Sequence, residues 1–413
     1  MFQRSLARSS RSLLIDVHSH YTPPRLAANV SAAGPSGSAP SKGQDDTIAS
    51  PSRATKLAFM DRHGISQSVI SIPPLTSLTS TPEEALKVVL DANTDLERYC
   101  TPQEGESQDG PSSIFSPGSA KQQNASSLGI PPKDRIHAFA VLPPPVKGKL
   151  SQHSVLDVLE SARSSESMVG VTLSTDGLGK GLGDLELESV WSKAGELGLT
   201  IFVHPPNMEL KLGLETSSAS AVFDAPHRVA LAASHLILSG VLDRHPTLKV
   251  LLSYSSGSLP FLSSRLSTLY RSDPHFTPSR QHARLANPDP RFYLSRLHYD
   301  SLGAYGPEEL QSLARLIGRS ERFKLGKGGT YNTPALGSEE EAEEVKRGGE
   351  RILFGSDHPV FPPLQEDVPE QGYDTPQWGS VVDGLTAIRL TRGWDEETRR
   401  AVVGGNAQRL LGL

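Results

Sequence analysis

Cysteine is almost absent: Cys100 is the only one in 413 residues. A lone thiol excludes an internal disulfide framework and any metal centre built on two or more thiolates, and it fits a reducing compartment. No apolar run approaches the roughly 18 residues a membrane-spanning helix needs, so no membrane partner is expected. Positive charge is not in excess, with 41 Lys and Arg against 46 Asp and Glu and a formal net charge of −5. That balance gives no general attraction to nucleic acid or to anionic membranes. What remains is a globular composition, 36% hydrophobic and 21% charged, in a chain long enough to bury one large core. Residues 1–12 carry Arg4, Arg8 and Arg11 and no acid, the composition of an organellar transit peptide. A core strand is expected directly afterwards at Leu13, which leaves almost no room for cleavage. The expectation is therefore a cytoplasmic protein, with import into mitochondria as the alternative.

Short apolar, β-branched runs recur along the chain, mostly separated by enough residues for a helix, the spacing of βα units on a parallel sheet. They are Leu13 to His18, Ser68 to Ile72, Ile136 to Leu142, Val169 to Leu173, Thr200 to His204, Lys249 to Tyr254, Leu297 to Ser301 and Ile352 to Asp357. Amphipathic stretches between them include Pro82 to Arg98, Leu185 to Leu197, Val229 to Arg244, Pro307 to Ile317 and Glu396 to Leu411. Eight such repeats predict a closed α/β barrel, the (β/α)₈ TIM barrel, as a single domain over residues 13–413. Segments 31–53 and 101–133 are rich in Ser, Gly, Pro and Gln and poor in large apolar residues, and are expected to be flexible surface insertions. Residues 326–349 are expected to form a third, its acid run Glu339 to Glu344 reading as a solvated helix face.

The first run ends in Asp16-Val-His18-Ser-His20. Side chains at i and i+2 of a strand point the same way, so both imidazoles can converge on one ion. Two nearby histidines often occur by chance; their place at the C-terminal end of a barrel strand, where active sites form, gives the pair its weight. His204 ends the fifth run, where a lone histidine is more often a hydrogen-bonded core residue. Asp357 ends the eighth, in Phe354-Gly-Ser-Asp357-His-Pro, where it could instead cap a helix. Taken together, three neutral nitrogens and one carboxylate oxygen form a sensible site for a single divalent metal, zinc first, with room for water.

These segments resemble the amidohydrolase-related metal-dependent decarboxylases typified by aminocarboxymuconate semialdehyde decarboxylase, which include resorcylate, methylsalicylate and uracil-5-carboxylate decarboxylases. The resemblance spans nearly the whole chain: IDVHSHYTPP, FMDRHGISQSVIS, GVTLSTDGLGKGLGDLELESVWSKAGELGLTIFVHPP, GVLDRHPTLKVLLSYSSGSLPFLSSRL and RILFGSDHPVFPP. It implies that His18, His20, His204 and Asp357 bind the metal and that a small carboxylate substrate loses carbon dioxide without redox change. It further implies a homodimer in which Arg265, matching the family's arginine eleven residues after its strand-six histidine, holds a substrate carboxylate in the neighbouring subunit's site. A guanidinium suits that task because its planar fork takes a carboxylate bidentately, although an ordinary helix salt bridge would also account for the residue.

The chain departs from the family at the end of strand six. Members usually carry a histidine there, in a segment like HGGG or HSGG, that handles the proton; here the segment reads Tyr254-Ser-Ser-Gly257. A phenol is a poor base at neutral pH but can donate or relay a proton. His358, His227 and His298 are other conceivable carriers, His358 being expected to point away because it follows the inward-facing Asp357. The expectation is a decarboxylase with catalytic Tyr254 and Asp357. The alternatives are hydrolysis by a metal-bound water, as in the wider superfamily, and a paralogue that keeps the metal and has lost the chemistry.

Overall fold

The computed structural model describes residues 13–26, 50–75, 81–102, 135–145, 152–206, 217–273, 285–302, 306–325, 333–364 and 375–413. The extension 1–12, nearly all of the two insertions expected at 31–53 and 101–133, and residues 326–332 of the third lie outside them.

Eight parallel strands run in chain order around one sheet: β1 (Ile15–His20), β2 (Gln67–Ser71), β3 (Ile136–Val141), β4 (Met168–Ser174), β5 (Thr200–His204), β6 (Lys249–Leu252), β7 (His298–Asp300) and β8 (Ile352–Leu353). The ring closes where the chain after β8 meets β1. There Val17 N donates to Phe354 O at 2.9 Å and Asp357 N to His18 O at 2.8 Å. Parallel neighbours require crossovers. These are α1 (Arg53–His63), α2 (Pro82–Cys100), α3 (Gln152–Ser164), α4 (Glu188–Leu197), α5 (Ser217–Leu238), α6 (Leu259–Ser272), α7 (Pro307–Arg319) and α8 (Glu339–Gly349), followed by α9 (Gly379–Leu390), α10 (Glu396–Arg400) and α11 (Asn406–Leu411). The expected (β/α)₈ barrel is the observed fold.

Local chemistry sets the helix ends. Before α2, the Thr81 side chain accepts from Glu84 N, Pro82 takes the first turn where its missing N–H is harmless, and Glu83 and Glu84 face the positive end of the dipole. α1 starts at the Ser52 cap and stops at Gly64 in the left-handed conformation.

The interior of the barrel is narrow and apolar. Ile15, Val17, Val69, Phe139, Phe202, Leu251 and Leu353 fill it, joined by Ala407 and Leu410 from the C-terminal helix. The carbonyl of Leu410 accepts from Thr200 and Lys249, the first residues of β5 and β6, so α11 plugs the N-terminal end. Polar side chains are left to the opposite mouth.

The third expected insertion is corrected in its second half. Residues 339–349 form α8, whose backbone packs directly on α7: a Cβ at Gly348 would fall 1.8 Å from Ala314 O, and one at Gly318 would fall 1.8 Å from Glu344 O. The acid run is only partly solvated. Glu341 and Glu344 are buried, Glu341 pairing with Arg315 at 3.0 Å and Glu344 with Arg319 at 3.0 Å and with Arg322. Arginines on the neighbouring segment turn two acids inward, which a helical charge pattern cannot reveal.

Candidate metal centre at the barrel mouth

The first strand does not alternate regularly. Asp16 pairs with Ser68 and Ser19 with Ile70, so Val17 and His18 share the space opposite one residue of β2 in a β-bulge. Val17 belongs to the interior cluster, and His18 packs edge-on against the interior Phe202, ring centroids 5.2 Å apart. The bulge thus places two consecutive side chains inside, and normal alternation then brings His20 to the same face, level with the end of β5 where His204 stands.

His18, His20 and His204 are buried, and one ring nitrogen from each lies within 4.8 Å of those of the other two. The Nε2 atoms of His18 and His20 lie 3.1 Å apart, and Asp357 Oδ1 is 3.4 Å from the first and 3.1 Å from the second. The far side of each ring is engaged. His18 Nδ1 is 2.5 Å from Asp300 Oδ2, His20 Nδ1 faces Ser71 at 3.3 Å, and His204 Nδ1 donates to the Pro205 carbonyl at 2.7 Å. Such contacts orient histidine rings toward a common centre. No hydrogen bond reaches the buried His204 Nε2 or Asp357 Oδ1, and beside the two facing Nε2 atoms they make a crowd of potential lone-pair donors in one small space. A cation satisfies that arrangement, and three nitrogens with one carboxylate oxygen match a divalent site.

Charge follows the same geometry. Burial pushes the His204 pKa well below its ordinary value, and His20 and His18 beside it push the same way, leaving the ring neutral as a ligand must be. At His18 burial also lowers the pKa, but the carboxylates of Asp300, Asp357 and Asp16 outweigh it and the net direction is up. Asp357 adopts a positive φ of 56°, tolerable for aspartate, and the preceding Gly355 lies against His18: a Cβ there would stand 2.7 Å from the histidine's own.

Tyr254 sits at the opening. Its ring centroid is 5.8 Å from those of both His18 and His204, so the residue in place of the family's histidine does reach the cluster. It begins a turn in which Tyr254, Ser255 and Ser256 all have positive φ, at 51°, 50° and 59°. Left-handed conformations cost roughly 1–2 kcal/mol per L-residue, so surrounding contacts must hold the turn.

The other sequence candidates are elsewhere. His358 points away as expected, stacking on Phe59 with centroids 3.7 Å apart. His298 starts β7, and burial together with Arg351 lowers its pKa to about 3, so its ring is uncharged near neutrality. His227 is exposed on α5, and Arg265 is exposed on α6. Two acids and a lysine escaped notice in the sequence. Asp300, Asp16 and Lys56 are all buried around the cluster. Asp16 lies beneath His18, accepting from Ser356 N at 2.9 Å and Ser356 Oγ at 2.7 Å. Lys56 reaches in from α1, its Nζ 2.5 Å from Ser19 Oγ and 3.8 Å from Asp16 Oδ2. Asp300 ends a strand, as His20 and His204 do, and was open to the same positional argument; Lys56 on a helix reads as an ordinary surface cation.

Burial lowers the Lys56 pKa to about 8, against the opposing pull of Asp16. Between that value and the ordinary lysine range the unfolded chain holds a proton that the folded chain has released, so unfolding free energy rises with pH. We expect Lys56 to contribute a gain of about 2–3 kcal/mol from pH 7 to 10, measured by urea unfolding, and Lys56→Met to lack it. Equal slopes in the two proteins would show that the lysine is not desolvated as described.

The profile of the amidohydrolase family matches residues 129–413. In sequence the chain is 25% identical over 245 residues to 2-amino-3-carboxymuconate-6-semialdehyde decarboxylase of Dictyostelium discoideum, covering 59% of this chain and 53% of that one. The chain thus spans about half the length of that relative. In structure it resembles the apo form of IDCase from Metarhizium anisopliae, with a TM-score of 0.67, 22% identity and 98% of each chain covered. It also resembles 5-carboxyvanillate decarboxylase from Novosphingobium aromaticivorans, solved with manganese and 4-hydroxy-3-methoxy-5-nitrobenzoic acid. There the TM-score is 0.64 and the identity 14%, over 98% of this chain and 97% of that one. The structural likenesses establish the fold. Together with a profile match running from before β3 to the last residue, they bring the sequence and the architecture to one conclusion: the chain belongs to the amidohydrolase family.

Proposed function

We propose that this protein is a metal-dependent, non-oxidative decarboxylase of a small aromatic or unsaturated carboxylic acid. The observation that carries the reading is the buried convergence of His18, His20, His204 and Asp357, with no hydrogen bond to His204 Nε2 or Asp357 Oδ1, at the C-terminal end of the barrel strands. The decarboxylase among its sequence relatives supports the choice of reaction. The four residues would hold one divalent ion. Zinc suits their nitrogen-rich donor set, and manganese, bound in the carboxyvanillate decarboxylase, is the other candidate. When bound, the ion supplies Lewis-acid charge that favours a substrate carboxylate or neighbouring oxygen at the site.

The protein's own groups do the rest. Phe202 walls the site beside His18 and His204 and is itself stacked on Phe139, so the floor is apolar and excludes water. We assign delivery of the proton to Tyr254, whose ring lies 5.8 Å from those of His18 and His204. The bond to the carboxyl carbon breaks, carbon dioxide leaves, and the electron pair left on the substrate carbon takes that proton. We assign substrate-carboxylate binding to Arg265 of a second copy. On α6 it shares a face with exposed Phe261 and Leu269, beside exposed Leu262, and α5 adds exposed Phe223 and Leu231. An apolar patch around an arginine is the composition of a dimer interface.

Metal-loaded protein incubated with a panel of hydroxybenzoates, carboxyvanillate, methylsalicylate and unsaturated dicarboxylates should release carbon dioxide from at least one. In deuterium oxide the product should carry one deuterium at the vacated carbon. Hydrolytic products without carbon dioxide would favour the superfamily's other chemistry and overturn this reading. Sedimentation velocity should give a dimer, and Arg265→Gln should raise KM at least about tenfold without dissociating it, as loss of a charge-assisted carboxylate contact would.

A further inference from the structure

The single aspartate of β7 touches both halves of the site. Asp300 is 0% exposed, and one carboxylate oxygen, Oδ2, lies 2.5 Å from His18 Nδ1. The other, Oδ1, accepts from Ser255 N at 3.1 Å and, more weakly, from Leu302 N at 3.4 Å, while the Asp300 carbonyl accepts from Ser255 Oγ at 2.8 Å. Ser255 is the middle residue of the left-handed turn that begins at Tyr254. We propose that Asp300 is the positioning residue of this site, fixing the proton of His18 on Nδ1 so that Nε2 faces the cation, and pinning the turn that presents Tyr254.

The argument is one of donors and acceptors. A neutral imidazole carries one proton, and the nitrogen that keeps it is decided by what faces the other edge of the ring. A carboxylate facing Nδ1 holds the proton there and leaves the Nε2 lone pair toward His20 Nε2 and Asp357. Both carboxylate oxygens of Asp300 meet N–H groups, so asparagine cannot replace it cleanly. If the amide NH₂ faces His18, it favours the tautomer with hydrogen on Nε2, which cannot bind a cation. If the amide is turned over, NH₂ meets Ser255 N–H, donor against donor, and the turn under Tyr254 loses an anchor. Buried acids also serve purely to satisfy nearby backbone groups, and the tautomer separates the two roles. This assignment rests on the proposed cation site but not on the identity of the reaction.

The test is the affinity of wild type, Asp300→Asn and Asp300→Ala for zinc and for manganese, by competition with a chelator of known affinity, beside long-range ¹H–¹⁵N spectra of the histidines. Asp300→Asn should bind each metal about 10- to 100-fold more weakly while unfolding cooperatively like wild type. In zinc-loaded wild type, which needs no substitution to be informative, His18 should carry its hydrogen on Nδ1. Variants that bind within twofold of wild type, or a wild-type His18 that binds zinc through Nδ1 and carries hydrogen on Nε2, would overturn the assignment and leave the metal site standing. A wild type that takes up neither metal would remove the site and this assignment together.

Discussion

Replacing Tyr254 with phenylalanine should lower kcat by about 10²- to 10⁴-fold and leave KM within a few-fold, the signature of a lost proton donor. The substitution removes one oxygen and keeps the ring that packs 5.8 Å from His18 and His204, so binding by shape is preserved. A phenol is protonated at neutral pH, which suits a step that consumes a proton and would not suit a base. Tyr254→His, which installs the histidine that the family resemblance leads one to expect at this position, completes the comparison. Activity in wild type and in the histidine variant, but not in the phenylalanine one, fits reassignment of the donor to Tyr254. Activity only in the histidine variant would mean that this chain keeps the ligands and has lost the chemistry.

Removing a ligand should have a larger effect. Asp357→Asn keeps the shape of the side chain and replaces an anionic donor by a neutral amide, while His204→Ala removes a nitrogen whose ring is already neutral and oriented. Both should reduce turnover to background, a loss of at least about 10⁴-fold, because the proposed reaction draws on a Lewis acid, a role no ordinary side chain fills. Stability should report the same loss. Ligand binding to the folded state adds about 4 kcal/mol at a free concentration 1,000 times the dissociation constant. Wild type should therefore gain Tm on addition of zinc or manganese, and neither variant should respond. A variant retaining most of its activity would place the essential residues elsewhere.

The barrel was legible because its signal is repetitive: eight apolar runs at βα spacing, each overlapping an observed strand, with Thr200–His204 matching residue for residue. The four residues of the cluster were legible because each lies within a few residues of the C-terminal end of its strand, where topology alone brings distant segments together. Periodicity carried less where contacts between elements decide. The bulge at Val17–His18 cannot be seen in IDVHSH, since alternation alone would put Asp16 inside with the histidines, whereas the structure turns it toward Lys56. The burial of Glu341 and Glu344 depends on Arg315 and Arg319 of the preceding helix and on glycines that let two helices touch. Asp300 was passed over because an acid at a strand end reads equally as a cap, and only its distance to His18 distinguishes the two. The turn at Tyr254–Ser256 was not foreseen, since tyrosine and serine are not residues that usually announce a left-handed backbone.

If three histidines and one aspartate hold a single catalytic ion, the metal content of the chain reports it without recourse to any substrate. Protein purified without chelator, loaded with zinc or manganese, freed of excess and analysed by elemental mass spectrometry should carry about one ion per chain, with Asp357→Asn and His204→Ala carrying close to none. A wild type that is folded by circular dichroism yet remains metal-free after both additions would mean that His18, His20, His204 and Asp357 hold no ion.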